Sequence, residues 1–293
     1  MTKNKLAFSL VELAVVILII GLITAGIIQG TSLVNSSRLS SARSLTVQSR
    51  INEIAGLTAW YETSMIESLR TNQASNASQI SEWRDISPGS IAQQKNTLTR
   101  IASSAVSYKS EGINKIPSIQ FTTLGSLSLA TFYQGPLGRS TIFVVMRPTI
   151  APSSTNIMTI LDSNSSSSNN SYFGIVNNKL MLNLGILQGT ATISNAPSFV
   201  VNSNYILAIY YDSSNAKAFV NNATSMAGGA LIAAGSNSLN GLTIGNNLSN
   251  NASTQFTGLI SEIIIYDRLL SNEERQSVMS YLSKKYKITV SGI

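Results

Sequence analysis

Apolar residues crowd the start of the chain and alternate with polar ones through the rest. From Phe8 to Ile28 a single ionisable residue, Glu12, interrupts an otherwise apolar run. Its twenty-one residues, at ~1.5 Å of helical rise each, span about 31 Å, the thickness of a bilayer core. The stretch that follows, up to Gly56, has no proline, and Val47, Ile51, Ile54 and Ala55 recur at the spacing of one buried helix face. The pattern predicts one long helix over 8–55, its first half in lipid and its second half on a globular domain, with Gly56 as the C-cap.

Beyond Leu57 short runs of period-two alternation are separated by Gly, Asn and Ser. Ser140–Met146 reads as a fully apolar strand, Ser171–Leu184 as a hairpin turning at Asn177-Asn178, and Tyr205–Val220 as a second hairpin. Phe256–Tyr266 reads as a long strand. Near the end Ser271-Asn-Glu-Glu274 forms a capping box, and Val278, Leu282 and Tyr286 share one helix face. Lys284, Lys285 and Lys287 then complement the helix dipole. The fold class is α+β: a long N-terminal transmembrane helix, an antiparallel β-sandwich and a short C-terminal helix. The divisions are 1–7, 8–55, 56–288 and 289–293.

Composition narrows the chemistry. The 293 residues include no cysteine and no histidine, which excludes thiolate, imidazole and histidine-ligated zinc mechanisms. Thirteen carboxylates are few for a calcium cage. The net charge is +7, and loss of Lys3 and Lys5 would lower it further. The remaining cations are dispersed apart from Lys284–Lys287, without the aromatic interleaving of a nucleic-acid surface, so DNA is not an expected partner.

Ala7-Phe8-Ser-Leu-Val-Glu12-Leu, after a short cationic leader, resembles the type IV prepilin signature. An ordinary signal or signal-anchor would also place Lys3 and Lys5 before an apolar run, but this run exceeds the usual ~7–15 residues. The resemblance implies that a prepilin peptidase cuts between Ala7 and Phe8 and that the new N-terminus is methylated. Ala7 stands where the family usually has Gly. Glu12 would then be the intramembrane carboxylate that meets the free amine of a neighbouring subunit and sets the stagger between copies, because a buried charge needs a partner. The implied partners are other pilin subunits, the peptidase and an inner-membrane assembly platform. The implied location is the bacterial inner membrane and then the cell surface or a periplasm-spanning filament.

Gly56-Leu-Thr-Ala-Trp60-Tyr, Ile80-Ser-Glu-Trp83-Arg-Asp85, Ile116–Phe121, Leu242-Thr-Ile-Gly245 and the tail Gly258–Tyr286 resemble the laminin-G-like, concanavalin-A-type jelly-roll modules of bacterial surface proteins. That resemblance implies two antiparallel sheets and a glycan or host-surface ligand. Trp60 and Trp83, as stacking platforms, and Asp85 are the candidate ligand-binding residues, each with a competing structural reading as a core anchor or turn. Several such modules bind calcium through loop aspartates. Here Glu62-Thr-Ser and Phe121-Thr-Thr stand in those places, so calcium is not carried over and no cofactor is expected. The Glu-x-Asp strand of the glucanases is absent, and Glu262 and Asp267 form the nearest acidic cluster, so no enzyme is expected. The function expected is a minor or tip pilin-like subunit displaying a lectin-like adhesive domain. The alternatives are a type II secretion pseudopilin or an anchored lectin-like protein that never polymerises.

Overall fold

The structure is a computed structural model that describes residues 9–88, 96–101, 103–152, 157–163, 171–184, 191–192, 197–212, 215–227, 232–233 and 238–293. Ala7 and Phe8 lie outside the described residues. Helix α1 runs from Leu10 to Val47. Its start is a second capping box: Val11 N–H donates to Ser9 Oγ (3.3 Å) and Ser9 N–H to Glu12 Oε2 (2.8 Å). From Leu10 to Val34 the helix is exposed at every position, and it is the one helix among the described residues long and apolar enough to cross a membrane.

The helix ends eight residues before Ala55, where the sequence pattern placed its end. Ser49 turns extended (φ −70°, ψ 148°) and directs both its N–H and its hydroxyl to the Thr46 carbonyl, at 3.2 and 2.7 Å. A short 3-10 turn, Arg50–Glu53, then drops Ile51 into the core. Gly56 (φ +85°) makes the left-handed turn into the first strand rather than capping the helix. The face of α1 that meets the domain carries Asn35, Leu39, Ala42 and Thr46, and Val47 is exposed.

Strands are numbered in chain order. One sheet runs β14 (Ile232–Ala233), β13 (Asn215–Val220), β12 (Tyr205–Asp212), β7 (Arg139–Pro148), β16 (Gly258–Tyr266), β5 (Ser118–Phe121) and β4 (Val106–Lys109), with β1 (Leu57–Glu62) also paired to β16. The other runs β11 (Ala191–Thr192), β10 (Lys179–Leu184), β9 (Ser171–Val176), β8 (Met158–Asp162), β15 (Leu242–Ile244), β6 (Leu127–Leu129), β3 (Leu98–Arg100) and β2 (Glu82–Trp83). Every described strand pairing is antiparallel. The hairpin of β9 and β10 turns through Asn177 and Asn178, both with positive φ (+47° and +59°), as a two-residue primed turn requires.

Alternation along the strands builds two cores. Ile142, Val144 and Met146 of β7, with Leu207, Ile209 and Tyr211 of β12, point between the sheets. Phe143, Val145, Ile206, Ala208 and Tyr210 point the other way, under helix α2 (Asn272–Tyr286). The first sheet is therefore buried on both faces. Helix α2 begins at the expected capping box, where Ser271 Oγ accepts from Glu274 N–H (3.2 Å) and Glu274 Oε2 from Ser271 N–H (2.8 Å). Arg268 grips the same carboxylate at 2.5 and 2.9 Å and holds its pKa down at about 2.

A bulge in β16 decides what lies under α2. Its pairing with β7 slips between Ile260 and Glu262, leaving Ser261 without an opposite residue. Without that slip strict alternation would turn Glu262 into the inter-sheet core beside Ile260. With it, Glu262 joins Ile264 and Tyr266 on the helix-covered face, while Ile263 and Ile265 fill the interior.

Candidate functional site

The register of β1 against β16 sets Glu62 directly opposite Glu262. Two carboxylates in that relation repel. Lys285, in the last turn of α2, is inserted between them: Nζ donates to Glu62 Oε1 (2.5 Å) and Glu262 Oε2 (2.8 Å), and all three side chains are 0% exposed. The third proton of the ammonium goes to Thr46 Oγ1 of α1, at 2.8 Å.

The other carboxylate lone pairs are also used. Glu62 accepts from Ser64 N–H (2.8 Å), the Ser64 hydroxyl and Met65 N–H (2.7 Å). Glu262 accepts from the Trp60 indole (2.7 Å), the Tyr281 hydroxyl (2.8 Å) and the Tyr286 hydroxyl (2.9 Å). Burial opposes ionisation of Glu62, but the Lys285 charge and the hydrogen bonds from Lys285, Ser64 and Met65 outweigh it, and its pKa lies below the ordinary value. For Glu262 burial dominates, and the repulsion from Glu62 adds to it against the pull of Lys285, so its pKa is raised. Burial, then the two carboxylates, push the Tyr281 and Tyr286 phenols well above their usual range, so both stay protonated as donors. No substrate reaches this cluster. Its work is to lock α1, α2, β1 and β16 to one another.

The structure gives the residues singled out as ligand contacts other work. Trp60 and Trp83 are 2% and 0% exposed. Trp60 stands edge-on to Tyr281, with ring centres 6.2 Å apart, and donates to Glu262. Trp83 packs on Tyr61 and donates to the Glu62 carbonyl at 2.8 Å. Asp85, 2% exposed, accepts from the backbone N–H of Trp60 (2.8 Å) and Ser87 (2.9 Å). Neither indole offers a ring face to a sugar, because Trp60 is packed beneath α2 and Trp83 fills the inter-sheet core, and the Asp85 carboxylate ties β1 to the segment after β2. Glu12, the proposed assembly residue, is exposed and caps its own helix. Sequence reasoning missed the role of Lys285, although a signal was there. Val278, Tyr281, Leu282 and Lys285 follow helical spacing, which puts a lysine on the apolar face.

The second sheet carries a polar row on the face turned away from the inter-sheet core. Directly opposed residues share a face, and successive pairings align Glu82, Thr99, Ser128, Thr243 and Asp162 in one row across five strands. The alternate row, including Trp83, Leu98, Leu127, Ile244, Leu161 and Phe173, faces the core. Thr99 donates to the Ser128 carbonyl (3.2 Å), and the Ser128 and Thr243 hydroxyls are 3.1 Å apart. Thr99 is exposed, Ser128 half-buried and Thr243 enclosed. At one end Arg70 and Arg84 clamp Glu82 at 2.8 and 2.7 Å, and their hydrogen bonds hold its pKa below the ordinary value. At the other end, Leu248 N–H donates to Asp162 Oδ2 (2.8 Å) and Asn246 bonds Asn250 (2.9 Å), which brings an asparagine-rich loop against the row. Among the described residues no cluster of three or more acidic side chains is placed to hold a metal ion.

A two-sheet antiparallel sandwich with one sheet covered by helices defines the class. The laminin-G-type model of the concanavalin A-like lectin/glucanases superfamily matches residues 126–274, half of the chain, and the chain belongs to that superfamily. No curated protein matches its sequence. Among solved structures it is similar to Trypanosoma rangeli sialidase bound to 2,3-difluorosialic acid, with a TM-score of 0.53 and 14% identity over 79% of this chain and 33% of that one. This chain thus spans about a third of the sialidase. It is also similar to domain 4 of an extracellular arabinanase from Geobacillus stearothermophilus in complex with arabinotriose, with a TM-score of 0.50 and 15% identity over 76% of this chain and 98% of that one. At these identities the likeness is one of fold.

Lys285→Met leaves two buried carboxylates without their cation and is expected to cost about 3–5 kcal/mol of stability, read by thermal unfolding of the full chain in detergent. The two glutamates give opposite pH dependences. Glu62, with its lowered pKa, loses its contribution as pH falls through the acid range. Glu262, with its raised pKa, contributes most at low pH and loses that contribution as pH rises through its folded-state value. Stability is therefore expected to fall as pH rises above the ordinary carboxylate range, and Glu262→Gln to flatten that fall.

Proposed function

We propose that the chain is a type IV pilin-like subunit of the minor or tip kind, held by α1 in the membrane and then in a filament, and that its sandwich acts by binding carbohydrate rather than by catalysis. The observation that carries the binding role is the division of labour between the sheets. One is sealed by helices, and the other sets the exposed Thr99 hydroxyl beside the half-buried Ser128 hydroxyl in register, with the exposed Arg70 guanidinium at the end of their row, the chemistry that pairs with sugar hydroxyls. The superfamily match and the arabinotriose-bound neighbour of the same fold support that reading.

The filament role is supported by the sequence Ala7-Phe8-Ser-Leu-Val-Glu12 and by a helix that leaves the domain with its apolar length bare. The Glu12 carboxylate uses one oxygen on Ser9 N–H. Cleavage before Phe8 would create a free amine one residue from that cap, and the same carboxylate on an adjacent copy is the group able to neutralise it in lipid.

On a glycan array probed with the detergent-solubilised full chain, Thr99→Arg/Ser128→Arg is expected to abolish the signal while leaving the unfolding midpoint in place. Binding that survives the double substitution removes this face from the proposal. For assembly, Glu12→Ala is expected to insert in the membrane yet be missing from sheared surface filaments, with a mature N-terminus at methylated Phe8 by mass spectrometry. An intact Met1, or filaments of normal abundance from the variant, contradicts the filament reading and leaves an anchored binding domain.

A further inference from the structure

A cleft of about 260 Å³ opens where α1 leaves the sandwich, between the stalk and the end of α2. Arg38, Ser37 and Ser41 line it from α1, and Lys284, Lys287 and Asn114 from the domain. No acidic residue lines it. Arg38, Lys284 and Lys287 are exposed, and none of them is in an ion pair among the described residues. Lys285 borders the same cleft, with its ammonium turned inward to Glu62 and Glu262. Arg38 is close enough to Glu111 to help lower its pKa, after Lys115 and Asn35 (2.7 Å), which engage that carboxylate directly.

Dipole compensation at the end of α2 accounts for Lys284 alone. The helix-end carbonyls of Tyr286 and Lys287 already accept from Asn114 Nδ2, at 2.6 and 3.2 Å. Lys287 sits in the left-handed region (φ +51°), a position that favours glycine or asparagine, and carries a cation there instead. Arg38 belongs to a different helix. Three cations from two elements thus converge on polar hydroxyl and amide groups with nothing of opposite charge between them.

The depth of the cleft selects the ligand. Leu33 and Val34 are exposed (73% and 48%), one turn before Arg38. The apolar run ends at Ile28, and ten residues of helix carry Arg38 about 15 Å beyond it, against a headgroup layer roughly 5–8 Å thick, so the cleft meets the headgroups through the length of its Arg and Lys side chains. Side chains on a helix lean toward its N-terminus, here toward the lipid. We propose that this cleft binds the phosphodiester headgroup of an anionic phospholipid in the leaflet from which α1 emerges, seating the domain on the membrane surface. The proposal requires α1 in a bilayer and does not depend on polymerisation or on the sugar-binding face.

The test uses the full chain in neutral detergent micelles, titrated with phosphatidylglycerol, phosphatidylcholine or inorganic phosphate while the thermal unfolding midpoint is followed. Phosphatidylglycerol is expected to raise the midpoint and phosphatidylcholine to leave it. Lys284→Glu/Lys287→Glu is expected to weaken the apparent phosphatidylglycerol affinity by about tenfold or more. Lys109→Glu/Arg139→Glu, the same charge change at exposed positions outside the cleft, is expected to retain it. An undiminished response in the Lys284/Lys287 variant, or an equal response to phosphatidylcholine, overturns the proposal. The same stabilisation by inorganic phosphate alone makes the cleft a free-anion site and overturns the lipid assignment.

Discussion

Two glutamates face each other across β1 and β16, and one lysine makes that arrangement tenable. Much of the architecture around them follows from the pairing. A buried carboxylate pair needs a cation at close range, and the cation comes from α2, so α2 must lie across the first sheet. The ammonium has one proton left after its two carboxylates, and Thr46 of α1 takes it. Helix α1 is thereby bonded to the same charge cluster that fixes the C-terminal helix. Arg43 reinforces the joint by donating to the Ser64 carbonyl at 2.7 Å, beside the turn that binds Glu62. A pull on the stalk is transmitted to the central strand of the sheet through charge-assisted hydrogen bonds.

This placement divides the molecule by function. One sheet is committed to holding the helices and so has no free face. The second sheet can change the polar row on its far face without touching the joint, because the inter-sheet core separates the two. Attachment of α1 and the chemistry of that far face thus rest on different residues.

The sequence disclosed the elements more readily than their contacts. The apolar run, the Asn177-Asn178 turn and the Ser271–Glu274 capping box each carry a local signal, and each appears where that signal places it. The end of α1 is local too, but the Ser49 hydroxyl competing for the Thr46 carbonyl is a weak cue beside the periodicity that continues to Ala55. Trp60, Trp83 and Asp85 were legible as special, with a core or turn role read beside the ligand role, and their burial bears out the structural reading, because burial depends on which residues the topology sets over them. The Glu62–Glu262 opposition arises from a register between residues two hundred positions apart and from a bulge at Ser261, which composition and spacing do not encode. The polar row of the second sheet has the same origin: five residues from five strands, aligned by pairing alone.

The central claim is that the charge cluster makes the base of α1, the strands β1 and β16 and the helix α2 one cooperative unit. Native-state hydrogen exchange on the full chain in micelles tests it directly. The account predicts that amides of 42–47, 60–62, 262–266 and 279–286 are the slowest in the protein and share one opening free energy. Exchange of 42–47 that is orders of magnitude faster than that of α2 would show a stalk that frays on its own, and would contradict the account.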